Sequence, residues 1–337
     1  MKKKNNLYSR PKIITEISGN HNGNKKRFLK LVEKAFESGA DLVKIQTYEA
    51  RDITLNIKSK KFRINSGPWK NSYLWDLYKK ACTPFNWHKD AFKIAKKFKK
   101  KIFSSPFSLR AVDFLEKLNC PIYKIASFEI TDHKLVDYIA SKKKPIILST
   151  GMSEISEIKK TIRLISKYHN NITILHCVSD YPTVIQNSNL SKISKLKKSF
   201  PKFKIGLSDH TNGIASSLIA AQMGVTFIEK HFNLDDMKTP DSLFSINPAQ
   251  LKELTSAIKY ISNMKNKNTS IRKKNLFLRR SIFSTKKIKK NEKITSNNID
   301  TLRPSIGICA SKYFSVLNKR ARKNIEKNSP LFSSDVI

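Results

Sequence analysis

The stretch Lys204–Asn233, KIGLSDHTNGIASSLIAAQMGVTFIEKHFN, contains one complete strand–helix–strand unit. It begins with the short apolar run Lys204–Thr211, passes through a helical pattern at Asn212–Met223, and ends with the run Phe227–Asn233. Apolar runs of this length predict buried strands. A helix between two such strands predicts that they lie parallel in one sheet.

The same alternation fills most of the chain before this stretch. Six earlier runs have the strand pattern: Lys12–Asn20, Asp41–Tyr48, Lys101–Phe107, Ile122–Ile130, Pro145–Met152 and Ile172–Pro182. Helical patterns occur at Lys25–Ser38, His88–Lys100, Ser108–Leu118, Ser153–Tyr168 and 248–264. Repeated strand–helix units over roughly 250 residues predict an α/β fold, the (β/α)8 TIM barrel. An open doubly wound sheet is the alternative, weakened because no G-x-G-x-x-G or P-loop motif follows a strand.

The pattern changes after the last helix. We predict a barrel domain over residues 1–264, a polar linker over 265–278, and a small β-rich domain over 279–337. Within the small domain, Ile288–Ile299 is echoed by Ile325–Ile337, which suggests a half-repeat. A domain of about 60 residues is near the lower limit of independent stability, so we expect it to pack on a partner surface.

The connection at residues 49–87 is unusually long and rich in aromatic residues. Its cluster comprises Trp69, Tyr73, Trp75, Tyr78, Phe85 and Trp87. A long insertion after a barrel strand is often a lid or substrate wall. A local mini-core is the other interpretation.

The net charge is +40, since Lys and Arg number 66 against 26 Asp and Glu. Such an excess is typical of nucleic-acid-binding proteins. The Lys-, Asn- and Ile-rich composition suggests a simpler origin of the positive charge, namely a coding bias that places Lys at exposed positions. We therefore expect no nucleic-acid partner. A hydrophobic content of 39% excludes disorder for most of the chain.

Cysteine and terminal patterns indicate the compartment. The four cysteines are far apart and form no C-x-x-C pair, which argues against a zinc knuckle or a disulfide framework. A reducing compartment fits this usage. No apolar segment follows the initial MKKKNN, and no run approaches the length of a membrane span. We expect a cytoplasmic protein without membrane contact.

Polar residues occupy the carboxyl-terminal halves of the predicted strands, where a TIM barrel carries its active site. They are Glu16, Ser18, Asn20, Lys44, Gln46, Lys124, Ser127, Glu129, Ser149, His176, Ser179, Ser208, His210, Glu229 and His231. Buried Lys and Glu are rare unless paired. Their convergence on one barrel mouth therefore predicts an active site.

Two histidines, His210 and His231, end neighbouring strands. Neutral imidazoles at such positions suit a divalent ion that keeps some of its water. We expect His176 to be a packed, hydrogen-bonded residue. His21 has two open interpretations, ligand contact and turn chemistry, and the remaining histidines are predicted at helix edges or on the surface: His88, His133 and His169.

Two lysines and three hydroxyls form a candidate phosphate cradle. Lys44 and Lys124 would supply charge, and Ser127, Ser149 and Ser208 would supply directional donors. A phosphate, a divalent metal and one or two carboxylates at one site suggest phosphoenolpyruvate or sugar-phosphate chemistry.

These segments match a known family in their order along the chain. They are Glu16–Gly23 (EISGNHNG), Val43–Tyr48 (VKIQTY), Tyr123–Ile130 (YKIASFEI), Leu148–Met152 (LSTGM), Leu175–Pro182 (LHCVSDYP), Gly206–Thr211 (GLSDHT), Ile228–Phe232 (IEKHF) and Arg279–Ser281 (RRS). The chain resembles the sialic acid synthase family from about residue 12 onward, most closely its pseudaminic branch. The tail is similar to that family's antifreeze-like (SAF, β-clip) domain.

The resemblance implies a reaction and a set of site residues. Phosphoenolpyruvate would condense with the aldehyde form of an N-acetylated amino sugar, giving a nonulosonic acid and phosphate by C–O cleavage. The resemblance implies phosphoenolpyruvate contacts at Lys44, Lys124, Ser127, Ser149, Ser179 and Ser208. It implies that Glu16 and Glu229 act with the two lysines in catalysis, and that His210 and His231 bind Mn²⁺, with Mg²⁺ or Co²⁺ as alternatives. Sugar contacts are implied at Asn20, Gln46, Glu129, Tyr181, Asp241 and Arg303, the last delivered by the partner subunit of a domain-swapped homodimer.

Three features favour the pseudaminic branch: SFEI at Ser127–Ile130, Ser179, and PDSLFSINP at Pro240–Pro248. An N-acetylneuraminate or legionaminate synthase is the alternative within the family. A metal-dependent aldolase with a Schiff-base lysine is an alternative enzyme. A basic RNA-binding protein on a barrel scaffold is the alternative from a different class.

Overall fold

The computed structural model describes residues 10–235, 237–265 and 275–337. The chain divides into two compact units, Met1–Asn266 and Lys267–Ile337. Of the linker predicted at 265–278, residues 266–274 lie outside the described ranges.

The first unit is a closed barrel of eight parallel strands, and each strand is hydrogen-bonded to its neighbours in chain order. The strands are β1 (Lys12–Glu16), β2 (Leu42–Thr47), β3 (Lys101–Pro106), β4 (Tyr123–Ile125), β5 (Ile146–Ser149), β6 (Ile172–Cys177), β7 (Lys204–Asp209) and β8 (Phe227–His231). The predicted (β/α)8 barrel is confirmed. Each predicted strand is present, although most end earlier than expected because their polar tails belong to the connections that follow.

Helices surround the barrel. They are α1 (Lys25–Glu37), α2 (Ala50–Ile53), α3 (Leu74–Ala81), α4 (Phe85–Lys97), α5 (Leu109–Lys117), α6 (His133–Ser141), α7 (Ile155–Ser166), α8 (Ser191–Ser199), α9 (Ala215–Gln222) and α10 (Pro248–Lys265). Except for α2 and α3, which belong to the insertion, these helices pack their apolar faces on the strands in one continuous core, in which Phe28, Leu31, Val112 and Ile158 are fully buried. Helix α8 escaped sequence analysis because its lysine-rich segment buries only Ile193 and Leu196.

Strand register places the ionisable residues on the interior face of the barrel, near the carboxyl ends of the strands. Glu16 pairs across the sheet with Lys44 on one side and with His231 on the other. Ser208 pairs with Glu229. Paired residues of parallel strands point to the same face, and residues two apart on one strand share that face. The carboxyl ends of these strands therefore project charged groups into a common space.

The opposite face of β7 and β8 carries a second buried ion pair. Lys230 Nζ lies 3.2 Å from Asp209 Oδ2, and both side chains are almost fully buried. The Ser217 hydroxyl on α9 donates to the same Asp209 Oδ2 at 2.6 Å, and Thr211 N donates to Asp209 Oδ1 at 2.9 Å. This pair therefore fastens α9 and both strand ends together.

The prediction that His88 lies at a helix edge or on the surface is wrong. Helix α4 begins at Phe85, three residues before the predicted start, so His88 lies in its first turn and faces the barrel wall. The imidazole is fully buried, with Nε2 2.8 Å from the Thr47 hydroxyl and Nδ1 3.2 Å from the Pro84 carbonyl. Burial lowers the pKa of His88 to about 4, so the ring is a neutral structural group.

The second unit is a small β-rich domain. Strands β9 (Ser281–Ser284) and β10 (Ile299–Leu302) pair antiparallel, and α11 (Tyr313–Val316) is a short helix. The two half-repeats lie side by side, because Ile288 and Ile325 exchange backbone hydrogen bonds of 2.9 and 2.8 Å. In the described part of the chain, no helix has the length and apolar character needed to span a membrane.

Gly206 offers a test of the barrel packing. A Cβ at this position of β7 would lie 2.8 Å from the Phe227 carbonyl oxygen and closer still to the Leu175 side chain. We expect Gly206→Ala to destabilise the protein by about 1–3 kcal/mol, as overpacking does. Thermal unfolding should show a lower Tm for Gly206→Ala and an unchanged Tm for Lys204→Ala, at the exposed start of the same strand. Equal Tm values for both variants would contradict the close packing.

Candidate active site

Four buried charged side chains meet at the carboxyl end of the barrel. Lys44 Nζ forms an ion pair with Glu16 and lies 3.3 Å from Glu229 Oε1. Lys124 Nζ donates to both carboxylate oxygens of Glu229, at 2.7 and 3.0 Å. Two cations and two anions form a network of zero formal charge, which is how a barrel interior can hold four ions away from water. The structure thus brings together Glu16, Lys44, Lys124 and Glu229.

Additional donors hold the two carboxylates in place. The backbone N–H of Ser18 donates to Glu16 Oε1 at 2.8 Å, and the Ser208 hydroxyl donates to Glu229 Oε1 at 3.0 Å. Charge-assisted hydrogen bonds of this kind fix the position of a carboxylate.

Protonation in the network is set by burial and by the opposing charges. Burial would raise the pKa of Glu229, but Lys124 and Lys44 outweigh it and hold that pKa below its ordinary value. Burial lowers the pKa of Lys44, yet Glu16 and Glu229 raise it above its usual range. Burial, aided by Lys44, lowers the pKa of Lys124 despite the Glu229 carboxylate. Lys124 is therefore the cation whose charge an arriving anion would stabilise most.

Hydroxyl groups beside this network are ready to accept a ligand. The Oγ atoms of Ser149 and Ser179 are buried and have no hydrogen-bond partner among the described residues. The Ser127 hydroxyl accepts from Gly151 N at 3.0 Å. A Cβ at Gly151 would collide with Ser179 Oγ and lie 2.9 Å from Ser127 Oγ, so only glycine fits between them. Because an unsatisfied buried hydroxyl is costly, Ser149 and Ser179 indicate a polar ligand.

His210 and His231 lie next to each other, with ring centroids 5.3 Å apart. Nδ1 of His210 is 2.9 Å from the Val178 carbonyl, whereas Nδ1 of His231 faces Asp241 Oδ2 at 3.5 Å, beyond hydrogen-bond distance. Metal-bound histidines are held in this way, which leaves Nε2 to coordinate. The two imidazoles therefore fit a divalent ion whose other ligands are water and substrate oxygens. Nowhere in the described ranges do three or more His, Cys, Asp or Glu side chains group into a fuller metal site.

Cys177 is a buried neighbour of this pair that sequence analysis did not select. Its Sγ lies 3.8 Å from His210 Nδ1 at the end of β6. Burial alone would lower the pKa of His210, but the Cys177 thiol raises it above the ordinary value. Burial lowers the pKa of His231, which favours its neutral form. The pairing of Cys177 with Ser208 across β6 and β7 could have been found only with the strand register in hand.

Aromatic rings cover the two histidines. The ring of Tyr181, one of the predicted sugar contacts, is 4.3 Å from that of His210, and the Phe244 ring is 4.8 Å from that of His231. Phe244 was not predicted, although its sequence segment was singled out. The aromatic cluster of the insertion divides: Trp87 packs on Phe28 in the barrel wall, whereas Trp69 reaches Tyr181.

The other predicted sugar residues lie in different settings. The Asn20 amide is engaged by protein groups: its Nδ2 donates to Phe232 O and to Ser245 Oγ, each at 2.8 Å, and its Oδ1 accepts from Thr239. These hydrogen bonds show that the Asn20 side chain supports the β8–α10 connection. Glu129 follows β4, with Oε2 buried and unpartnered within the described chain, and burial raises its pKa to about 7.

Gln46 and Arg303 complete the predicted set. Gln46 is half-buried on β2, two residues after Lys44 and on the same face. Arg303 follows β10 in the second unit and is exposed. It is therefore not part of the set that the barrel itself brings together.

Comparisons with known proteins give the site its context. The NeuB family model matches residues 31–270, and the SAF domain model matches residues 279–337. A pseudaminic acid synthase of Helicobacter pylori is 42% identical over 97% of this chain and 98% of its own length. An N,N'-diacetyllegionaminic acid synthase of Campylobacter jejuni is 37% identical over 94% of this chain and 97% of its own. The crystal structure of an N-acetylneuraminic acid synthetase from Leptospira borgpetersenii superposes with a TM-score of 0.70 at 27% identity, covering 78% of this chain and 87% of that one. The chain belongs to the NeuB family, with its barrel followed by a SAF domain.

Proposed function

We propose that this enzyme condenses phosphoenolpyruvate with the aldehyde of 2,4-diacetamido-2,4,6-trideoxy-L-altrose, giving pseudaminic acid and phosphate. The observation that carries the proposal is the buried network of Glu16, Lys44, Lys124 and Glu229 beside unsatisfied hydroxyls and two adjacent imidazoles. The names of the relatives support it, since they include pseudaminic acid, legionaminic acid and N-acetylneuraminic acid synthases.

Binding of phosphoenolpyruvate would replace Glu229 by phosphate as the hydrogen-bond acceptor of Lys124. A phosphate near Lys124 competes with Glu229 for the ammonium group, which now donates to both carboxylate oxygens. The free hydroxyls of Ser149 and Ser179 would donate to the same phosphate, beside Ser127 and Ser208. Lys124 would keep an anionic partner throughout the exchange, and Glu229 would keep Lys44, whose Nζ lies 3.3 Å from its Oε1.

The reaction requires one new carbon–carbon bond and one carbon–oxygen cleavage. C3 of phosphoenolpyruvate bonds to the aldehyde carbon, whose oxygen takes a proton, and water then adds to C2. The bond between C2 and the phosphate oxygen breaks, releasing phosphate. Glu229, freed from Lys124, and Glu16 would orient the water and accept its proton. Glu129, with a pKa of about 7, can carry a proton near neutral pH.

His210 and His231 would hold the divalent ion, for which we propose Mn²⁺, with Mg²⁺ or Co²⁺ as alternatives. Such an ion supplies Lewis-acid polarisation of the aldehyde oxygen when bound. The Val178 carbonyl holds the His210 ring by a hydrogen bond, and the Asp241 carboxylate faces Nδ1 of His231 at 3.5 Å. Tyr181, Asp241 and Gln46 would face the sugar. Asn20 would act indirectly, by supporting the β8–α10 connection.

We propose that the working form is a domain-swapped homodimer in the cytoplasm. Four apolar side chains on the connections around the barrel mouth are each more than half exposed: Phe128, Met152, Val184 and Leu243. The second unit also exposes apolar groups, among them Leu302, Ile306 and Phe332. A dimer interface at these connections would remove such apolar side chains from water. The SAF domain of one protomer covering the mouth of the other would deliver the partner subunit's Arg303 to the sugar.

The substrate is tested with purified protein, phosphoenolpyruvate, Mn²⁺ and a panel of sugars. The panel contains N-acetylmannosamine and the diacetamido-trideoxy hexoses of altro and manno configuration. We expect phosphate release with the altro sugar, and much less with the others. Release only with the manno sugar or with N-acetylmannosamine would assign the legionaminate or N-acetylneuraminate branch. Release with none would sink the synthase proposal.

The metal pair is tested by His210→Ala and His231→Ala, with His133→Ala as the exposed control. We expect each site variant to lose turnover and to bind Mn²⁺ about 100-fold or more weakly, because outer-shell partners alone are worth 10–100-fold. Calorimetric titration with Mn²⁺ measures binding without turnover. A site variant that binds and turns over like His133→Ala would remove its histidine from the metal site.

Borohydride trapping separates the synthase from a Schiff-base aldolase. Lys124 and Lys44 are ion-paired with Glu229 and Glu16, so we expect them to remain ammonium ions and to bind phosphate. Treatment with phosphoenolpyruvate or pyruvate and borohydride should therefore leave the intact mass of the protein unchanged. A stable adduct that disappears in Lys124→Arg or Lys44→Arg would establish the aldolase instead.

A further inference from the structure

We infer that Trp69 is a specificity-determining residue, the apolar wall that makes this enzyme prefer a deoxygenated, N-acetylated sugar. The inference rests on the proposed function and names a residue that it leaves unassigned. Trp69 lies in the insertion between α2 and α3, outside the barrel strands.

The insertion is anchored to the barrel mouth through this side chain. The Trp69 indole N–H donates to the Pro240 carbonyl at 2.8 Å, which joins the insertion to the β8–α10 connection. Its ring lies 5.4 Å from that of Tyr181 and 6.3 Å from that of Phe244. Tyr181 and Phe244 are themselves 5.1 Å apart. Three connections of the barrel therefore contribute to one aromatic triad.

The triad leads directly to the proposed reacting centre. Tyr181 contacts His210 and Phe244 contacts His231, with ring centroids 4.3 and 4.8 Å apart. Trp69 is thus one ring away from both imidazoles. Phe85 of the same insertion has a different partner, since it stacks on Phe114 at 4.7 Å.

The chemistry of the wall favours methyl groups over hydroxyls. The single donor of Trp69 is committed to Pro240, so the indole offers a sugar only apolar surface. The proposed substrate carries a methyl group at C6 and two acetamido methyl groups. N-acetylmannosamine carries a hydroxyl at C6 and at C4, and a hydroxyl desolvated against this wall would have no partner. Discrimination by such a wall is moderate in size, since apolar pockets separate close analogues by about 10–200-fold.

The test compares Trp69→Ala and Trp69→Phe with Trp75→Ala, a control in the same insertion, on helix α3. Steady-state kinetics with the altro sugar and with N-acetylmannosamine give kcat and KM for each. For Trp69→Ala we expect KM for the altro sugar to rise about tenfold, and the ratio of kcat/KM between the two sugars to fall about tenfold. KM for phosphoenolpyruvate should change less than twofold. Trp69→Phe, which keeps a ring, should lie between the wild type and Trp69→Ala.

The outcomes separate the inference from the proposed function. If the ratio of kcat/KM between the two sugars is unchanged in both Trp69 variants, the inference is wrong, while an active wild-type enzyme leaves the proposed function standing. An equal rise in KM for the altro sugar and for phosphoenolpyruvate also overturns the inference, because that result would indicate a general disturbance of the barrel mouth. If Trp69→Ala does not fold, the selectivity of Trp69→Phe decides. If the wild-type enzyme releases no phosphate with any sugar of the panel, the proposed function itself is wrong.

Discussion

The ion pairs that join Lys44 and Lys124 to Glu16 and Glu229 are the constraint on which the rest of the barrel depends. Four ions without water are tolerable only if each keeps an opposite charge within hydrogen-bond distance, because removing one partner of a buried pair costs about 3–5 kcal/mol. Charged side chains from four strands must therefore meet within hydrogen-bond distance in the barrel interior. Sequential pairing of β1 to β8 into a closed barrel provides that convergence. An open sheet would separate β1 from β8 and with them Glu16 from His231.

Strands β7 and β8 hold ions on both of their faces, and the two faces do different work. Inside, Ser208 and Glu229 belong to the network that a substrate anion can rearrange. Outside, Asp209 and Lys230 are sealed beneath α9, where no ligand can reach them. Strand alternation makes each outer residue the chain neighbour of an inner one. The outer pair can thus hold the backbone of His210 and His231 still while the inner pairs change partners.

Sequence was sufficient for the features that depend on local pattern. Short apolar runs predicted the strands, and their polar ends predicted Glu16, Lys44, Lys124, Glu229 and both imidazoles at one mouth. What it missed depends on contacts between distant segments. The Asn20 amide binds Phe232 and Ser245, more than 200 residues away, and so supports a connection. The burial of His88 followed from a helix start three residues earlier than its apolar spacing indicated.

The charge of +40 takes on a different meaning once the site is assembled. The excess of lysine lies outside the network, which is formally neutral because its two lysines are matched by two glutamates. A positive surface can speed the approach of a trianion such as phosphoenolpyruvate, an effect that salt screens over about 8–10 Å. It contributes little inside the barrel. There, in the proposed reaction, binding would depend on whether phosphate can replace Glu229 as the partner of Lys124, an exchange that would leave Glu229 free at the moment when a carboxylate is needed.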